Sequence, residues 1–253
     1  MDIQDKVAIV TGGGAKGTGR AVALALARKG GSVVVSDIDP AGGRETVERI
    51  EAAEGRAAFV RADVRVFDDI FAMAGFAERS FGGIDIVVNN AGTTWPPHFP
   101  DCTREHWEAA LDLNLRGPMF AIQVGVEAIR RRGGGAIVNI SSVAGLGYGV
   151  HDSPEYAAAK AGLIRLTATL APLATSHDVR VNCVIPHWIE TDEVKREIAA
   201  MSAEDQTSVP HLLQPSEVAD AVVRLVEDDA AAGRVLVMWC EEPPHVIDPS
   251  RRE

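Results

Sequence analysis

The sequence is poor in cysteine: Cys102, Cys183 and Cys240 are odd in number, far apart and form no C-x-x-C pair. That spacing excludes a disulfide framework and a thiolate metal site, and it fits a reduced compartment. No stretch approaches the ~18 consecutive apolar residues that a membrane-spanning helix needs. The start, MDIQDKVAIV, lacks the basic residues and long apolar core of a secretory signal, so a cytoplasmic location is expected. Positive charge is also short. A formal net charge of -11 argues against a nucleic-acid backbone or an anionic membrane as partner. The histidines show no metal-ligand spacing such as H-E-x-x-H, so no metal is expected. Internal repeats and linkers are absent, and the length of 253 residues suits one domain, 1–253.

What is present is a regular alternation. KVAIV (6–10), SVVVSD (32–37), AAFVRADV (57–64), IDIVVNNAG (84–92), GAIVNISS (135–142), VRVNCVIP (179–186) and GRVLVMW (233–239) read as strands. Such continuous apolar runs suit parallel strands covered on both faces. Helical patterns fall between them, near 18–29, 40–54, 67–81, 103–131, 155–176 and 215–229. The alternation predicts an α/β fold, a doubly wound seven-stranded parallel sheet with helices on both faces. The segment 187–214 breaks the rhythm as a long irregular excursion after a strand end, the usual place for a substrate lid. In the tail 240–253 the prolines forbid a regular helix.

Between the first strand and first helix stands TGGGAKGTGR, residues 11–20. Glycines at such a turn let backbone N–H groups approach a pyrophosphate, and the helix N-terminus adds partial positive charge. The pattern also requires an acid at the end of the second strand to hold ribose hydroxyls. Asp37 stands there, 20 residues after Gly17. A carboxylate at that point repels the 2′-phosphate of NADP and pairs with the free 2′-hydroxyl of NAD, so NAD is expected. Lys16 pulls the other way and keeps NADP as the alternative.

In YAAAK, Tyr156 and Lys160 are four residues apart and share one helical face. A nearby ammonium favours the phenolate and lowers the tyrosine's pKa toward a useful range for proton transfer. The ordered set TGGGAKGTG, Asp37, Asp63-Val64, NNAG (89–92), LNLRG (113–117), NISS (139–142), YAAAK and VRVNCVIP resembles the short-chain dehydrogenase/reductase family. The resemblance covers about 5–239.

The resemblance implies Tyr156 as general acid/base, with Lys160 binding the nicotinamide ribose and depressing the tyrosine's pKa. It implies Ser142 as the holder of the substrate oxygen, with Ser141 as the alternative. Asn114 would fix a helix distortion and a water leading to Lys160. Gly13, Lys16, Gly17, Thr18 and Gly19 would form the phosphate loop. Asp63 and Val64 would contact the adenine, Asn90, Ala91 and Gly92 the adenosine ribose and phosphates, and Pro186, Ile189 and Thr191 the carboxamide. The implied reaction is hydride exchange between NAD(H) and a secondary alcohol or ketone, in a homotetramer. An NADP(H)-dependent carbonyl reductase and a non-catalytic dinucleotide sensor are the rival readings.

The sequence departs from the family pattern at four places. One extra residue widens the glycine loop, and Ser142 and Tyr156 are 14 apart instead of 13. His187 replaces a glycine, and the usual D-G-G ending is missing. His187 could be exposed, structural or catalytic; Trp95 and Trp188 could line a pocket or pack.

Overall fold

The computed structural model describes residues 1–147 and 150–247 of the chain. Tyr148 and Gly149, within the loop 145–154 whose insertion separates Ser142 from Tyr156, lie outside them, as do tail residues 248–253. The elements run in order β1 (Val7–Thr11), α1 (Thr18–Arg28), β2 (Ser32–Asp37), α2 (Pro40–Glu51), β3 (Arg56–Arg61) and α3 (Phe67–Phe81). After β4 (Ile86–Asn89) come α4 (Arg104–Leu111), a π-helical turn (Asp112–Arg116) and α5 (Gly117–Arg131). β5 (Gly135–Ile140) leads to α6 (Pro154–Thr169), a short α7 (Leu173–Ser176) and β6 (Val179–Pro186). The chain ends with α8 (Asp192–Ala200), α9 (Ala203–Thr207), α10 (Pro215–Glu227), β7 (Val235–Met238) and β8 (His245–Ile247).

The strands form one sheet in the order β3-β2-β1-β4-β5-β6-β7-β8. Side chains alternate across it with period two. Ala8, Val10, Val33 and Val35 enter a core with Val22 and Leu26 of α1 and Val222 and Val226 of α10. Val7, Ile9 and Val34 enter a second core with Ile70 and Met73 of α3 and Ile122 and Ile129 of α5. Each of these Val, Leu, Ile and Met side chains contributes ~1.5–3 kcal/mol when fully buried, which is why both faces of the sheet must be covered. Strand order reverses between β1 and β4, leaving a crevice at the strands' carboxyl ends where ligands bind in such sheets.

Among the described residues the sheet has eight strands, one more than the sequence pattern predicts. β8 is antiparallel, pairing Val237 with His245 and Val235 with Ile247. Its three residues are exposed and follow Pro243 and Pro244, so no apolar run announces it. The helix expected over 103–131 is broken by the π-helical turn, where an Asn114 side-chain N–H donates to the Ala110 carbonyl at 3.0 Å. The helix expected over 155–176 stops at Thr169 because Pro172 has no N–H to continue it. The excursion 187–214 is not wholly irregular; it carries α8 and α9, and Ile189 bridges Leu213. Among the described residues, no helix is long and apolar enough to cross a membrane.

Candidate active site

A cleft of about 770 Å³ opens at the sheet's switch point. Its floor is the glycine loop. Gly12, Lys16, Gly17, Thr18 and Gly19 line it, with Asp37, Asp63, Val64, Asn90, Ala91, Gly92 and Thr191 around them. Gly12 takes φ +64°, a conformation L side chains rarely adopt, and its carbonyl accepts from an Asn90 side-chain N–H. A Cβ on Gly19 would lie 2.1 Å from the Gly12 oxygen, so only glycine lets α1 start this close to the turn. Gly13, in contrast, does not line the cleft. Its N–H donates to the Ser36 carbonyl, its carbonyl accepts from Thr46 Oγ1, and a Cβ there would press on Val35. The cleft-facing glycines of the loop are therefore Gly12, Gly17 and Gly19.

The loop is held from two sides. Asp37 accepts the Gly14 N–H on Oδ2 at 2.8 Å and the Asp39 N–H on Oδ1 at 2.9 Å. Each oxygen has capacity for a further hydrogen bond, and Asp37 lines the cleft. Buried Arg20 donates to the Gly14 carbonyl, Thr46 Oγ1 and Glu45 Oε2. Its hydrogen bond to Glu45 holds that carboxyl down at about 2. Sequence reasoning passes over Arg20, since its partners are the loop's own carbonyl and a helix 25 residues on.

Both ends of this cleft suit a dinucleotide. The N-cap of α1 is Gly17, which has no side chain to occupy the first-turn N–H groups, and no acid stands in that turn. Uncapped donors of that kind bind phosphate. At the other end, behind the cleft residue Gly92, Asn114 is fully buried outside the cleft lining, and its Oδ1 has no hydrogen-bond partner. Its side-chain N–H groups donate to the carbonyls of Thr93 and Ala110. A Cβ on Gly92 would lie 2.7 Å from Asn114 Oδ1 and 2.9 Å from Lys160 Nζ. An orphaned acceptor and an ammonium thus meet over one bare glycine. Lys160 Nζ donates to the Ile140 carbonyl at 3.0 Å, leaving two further donors for ribose hydroxyls.

Tyr156 and Lys160 project from α6 as the sequence predicts, with Nζ 5.4 Å from the tyrosine ring centroid. The electrostatics differ from expectation. Burial pushes the Tyr156 hydroxyl up to about 12, with help from the charges of Glu193 and Glu197, against an opposing hydrogen bond with Ser142. Burial also brings Lys160 down to about 8, which weakens the charge expected to lower the tyrosine. Of the two serines, Ser142 reaches Tyr156, whereas Ser141 Oγ donates to the Lys160 carbonyl and is buried.

The remaining expectations divide. Thr191 lines the cleft and caps α8, but Pro186 closes β6 in the interior and Ile189 packs on the core. Asp63 lines the cleft while bound by Arg65 at 2.6 Å, and Arg65 also lines it. Trp95 is a cleft residue and Trp188 a packing residue. His187 sits between Trp188 and Trp239 and meets Cys240 Sγ at 3.1 Å; burial lowers its pKa. Its φ is not positive, so losing the family's glycine causes no strain there. Glu193 and Arg196 bring charge from α8 into the cleft, which no sequence motif announces. Among the described residues, no group of three or more potential ligands could hold a metal ion.

The family model described as short chain dehydrogenase matches residues 6–202. Cyclohexanol dehydrogenase from an Acinetobacter species is 36% identical over 228 residues, 90% of either chain. Cis-4-hydroxycyclohexanecarboxylate dehydrogenase of Sinomonas cyclohexanicum is 35% identical over 90% of this chain and 91% of its own. A solved 7α-hydroxysteroid dehydrogenase, complexed with NADH and 7-oxo glycochenodeoxycholic acid, is 30% identical with a TM-score of 0.86, covering 94% of each chain.

Proposed function

The chain belongs to the short-chain dehydrogenase/reductase family, and from that premise we propose that it exchanges hydride between NAD(H) and a secondary alcohol or ketone. The observation that carries the reading is the convergence of Lys160 Nζ and Asn114 Oδ1 on Gly92, one helical turn from Tyr156. Bound there, the nicotinamide would supply the hydride chemistry. Tyr156 would hold or release the proton at the substrate oxygen, and Ser142 would orient that oxygen. Lys160 and Asn114 would hold the ribose side and carry the proton onward. Asp37 supports NAD over NADP. Lys16, exposed on the cleft rim, supports the NADP(H) alternative. The names of the two cyclohexanol-type relatives make cyclic secondary alcohols the first substrates to assay.

The segment 187–214 would serve as the lid within the single domain, since α8 already touches the cleft and Thr93 Oγ1 bonds Glu193 Oε1 at 3.1 Å. A homotetramer in the cytoplasm would use the helix faces around α5, where Phe67, Phe71 and Met119 are exposed. A monomer in sedimentation velocity would refute that assembly. The central test is Tyr156→Phe. Turnover falls at least ~100-fold, the lower range for losing a general acid/base, while NADH binding persists. Near-normal turnover in that variant removes Tyr156 from the role.

A further inference from the structure

Glu155 stands immediately before Tyr156, is only 3% exposed, and has no part in the proton path. Its Oε1 accepts from Ser153 Oγ at 2.7 Å and from His98 Nδ1 at 2.8 Å. Ser153, itself 1% exposed, shares a further 2.7 Å hydrogen bond with Thr94 Oγ1. A buried carboxylate is strongly disfavoured unless donors surround it. Burial pushes the Glu155 carboxyl up, but hydrogen bonds from Ser153, its own backbone N–H, His98 and the Phe99 N–H together outweigh it and hold it low. Apart from its own N–H, these donors belong to, or lead into, one stretch, residues 93–99.

The same stretch is fixed at its start. The Thr93 carbonyl accepts from Asn114 Nδ2 at 2.9 Å, and its hydroxyl bonds Glu193. Trp95 lies between the fixed points and lines the cleft. We propose that Glu155 is a positioning residue for substrate selection. Through Ser153 and His98 it fastens residues 93–98 to the amino end of α6 and so holds Trp95 as a fixed wall of the cleft. Geometry supports this over a helix-capping role: Glu155 bonds across to the β4 exit loop, 57 residues away in sequence.

The kinetic arm of the test rests on the dehydrogenase reading; a spectroscopic arm does not. With cyclohexanol and NAD, Glu155→Ala raises KM about tenfold, leaves kcat and the NADH Kd within about twofold, and Glu155→Gln restores most of the KM. In a Trp95→Ala background, Glu155→Ala has no further effect on KM. In 5-fluorotryptophan-labelled protein, with Trp95 assigned by Trp95→Phe, Glu155→Ala shifts and broadens the Trp95 fluorine signal and spares those of Trp188 and Trp239. Should Glu155→Ala not fold, Glu155→Gln gives a smaller shift of the same signal. A Trp95 signal that stays in place, or KM effects that add fully across the two sites, overturns the proposal. If the wild type oxidises no alcohol, the dehydrogenase reading falls, and the fluorine signal still decides the role of Glu155.

Discussion

Lys160 offers a test of the site's electrostatics that needs no substrate. Lys160 is 3% exposed, and burial brings its pKa from 10.5 to about 8. Below pH 8 folded and unfolded chains both carry the proton, and the folded state bears the cost of burying the charge. Between pH 8 and 10.5 the unfolded chain keeps a proton that the folded chain has released. Stability therefore rises with pH through this window, and the gain is lost as pH falls through the folded value. At about 1.4 kcal/mol per pH unit, the gain reaches roughly 2–3 kcal/mol by pH 10. Lys160→Met removes this titration. It also removes the hydrogen bond to the Ile140 carbonyl, but that loss is a nearly constant offset. Tyr156 and Cys183 are both raised by burial; the Lys160 charge opposes the rise at Cys183, but by pH 10 the folded lysine has lost that charge, so the two groups largely drop out of the difference. The assay is urea unfolding of both proteins at pH 7 and pH 10, without nucleotide and at fixed protein concentration. Wild type should gain roughly 2–3 kcal/mol on Lys160→Met between those values. Stability curves that run parallel, or a difference that moves the other way, would refute the depressed lysine.

Two further outcomes follow from the same geometry. Glu193 and Glu197 both raise the Tyr156 pKa, so the double variant Glu193→Gln/Glu197→Gln should lower it. The rising limb of kcat/KM for alcohol oxidation against pH then moves toward acid, and an unmoved limb would show that neither charge reaches the phenol. Asp37→Ser removes the charge that the proposed NAD reading places at the ribose, and the carboxylate acceptors of the Gly14 and Asp39 N–H groups. NADH binding should weaken roughly tenfold or more, since hydrogen bonds to charged groups contribute ~1.5–3 kcal/mol each, while NADPH binding holds or improves. Nucleotide fluorescence titration measures both, and an equal loss of the two affinities would take Asp37 out of cofactor choice.

The parts of the site that could be read from sequence are those fixed by one element or one turn. The glycine loop, Asp37 at a strand end and the Tyr156–Lys160 pair each follow from local periodicity. Asn114 could be placed but not its π-helical turn, because the side chain that competes for the Ala110 carbonyl looks the same in any helix pattern. Arg20, Glu155 and Glu193 were invisible for another reason. Each acts across the fold, on Gly14 and Glu45, on His98, and on Thr93. The choice of Gly12 over Gly13 also depended on tertiary packing, since the Gly13 N–H is taken up by the Ser36 carbonyl of β2. His187 shows the converse: an apparent departure from pattern is absorbed by aromatic packing.

The tyrosine exposes the limit of arguing from a pair alone. An ammonium four residues along a helix should lower a phenol's pKa, yet the Tyr156 hydroxyl stands at about 12. The desolvation that encloses the phenol also discharges the lysine near pH 8, so one cause acts against the expected effect twice. Two carboxylates of α8 then add to the rise. In the protein alone Tyr156 is consequently a phenol throughout the neutral range, the form that donates a proton to a carbonyl oxygen. Proton abstraction from an alcohol near neutral pH requires further positive charge at that oxygen, or a position of α8 that takes Glu193 and Glu197 away from it. The charge states of Tyr156 and Lys160 are thus set by burial and by the carboxylates of α8 together, not by the pair alone.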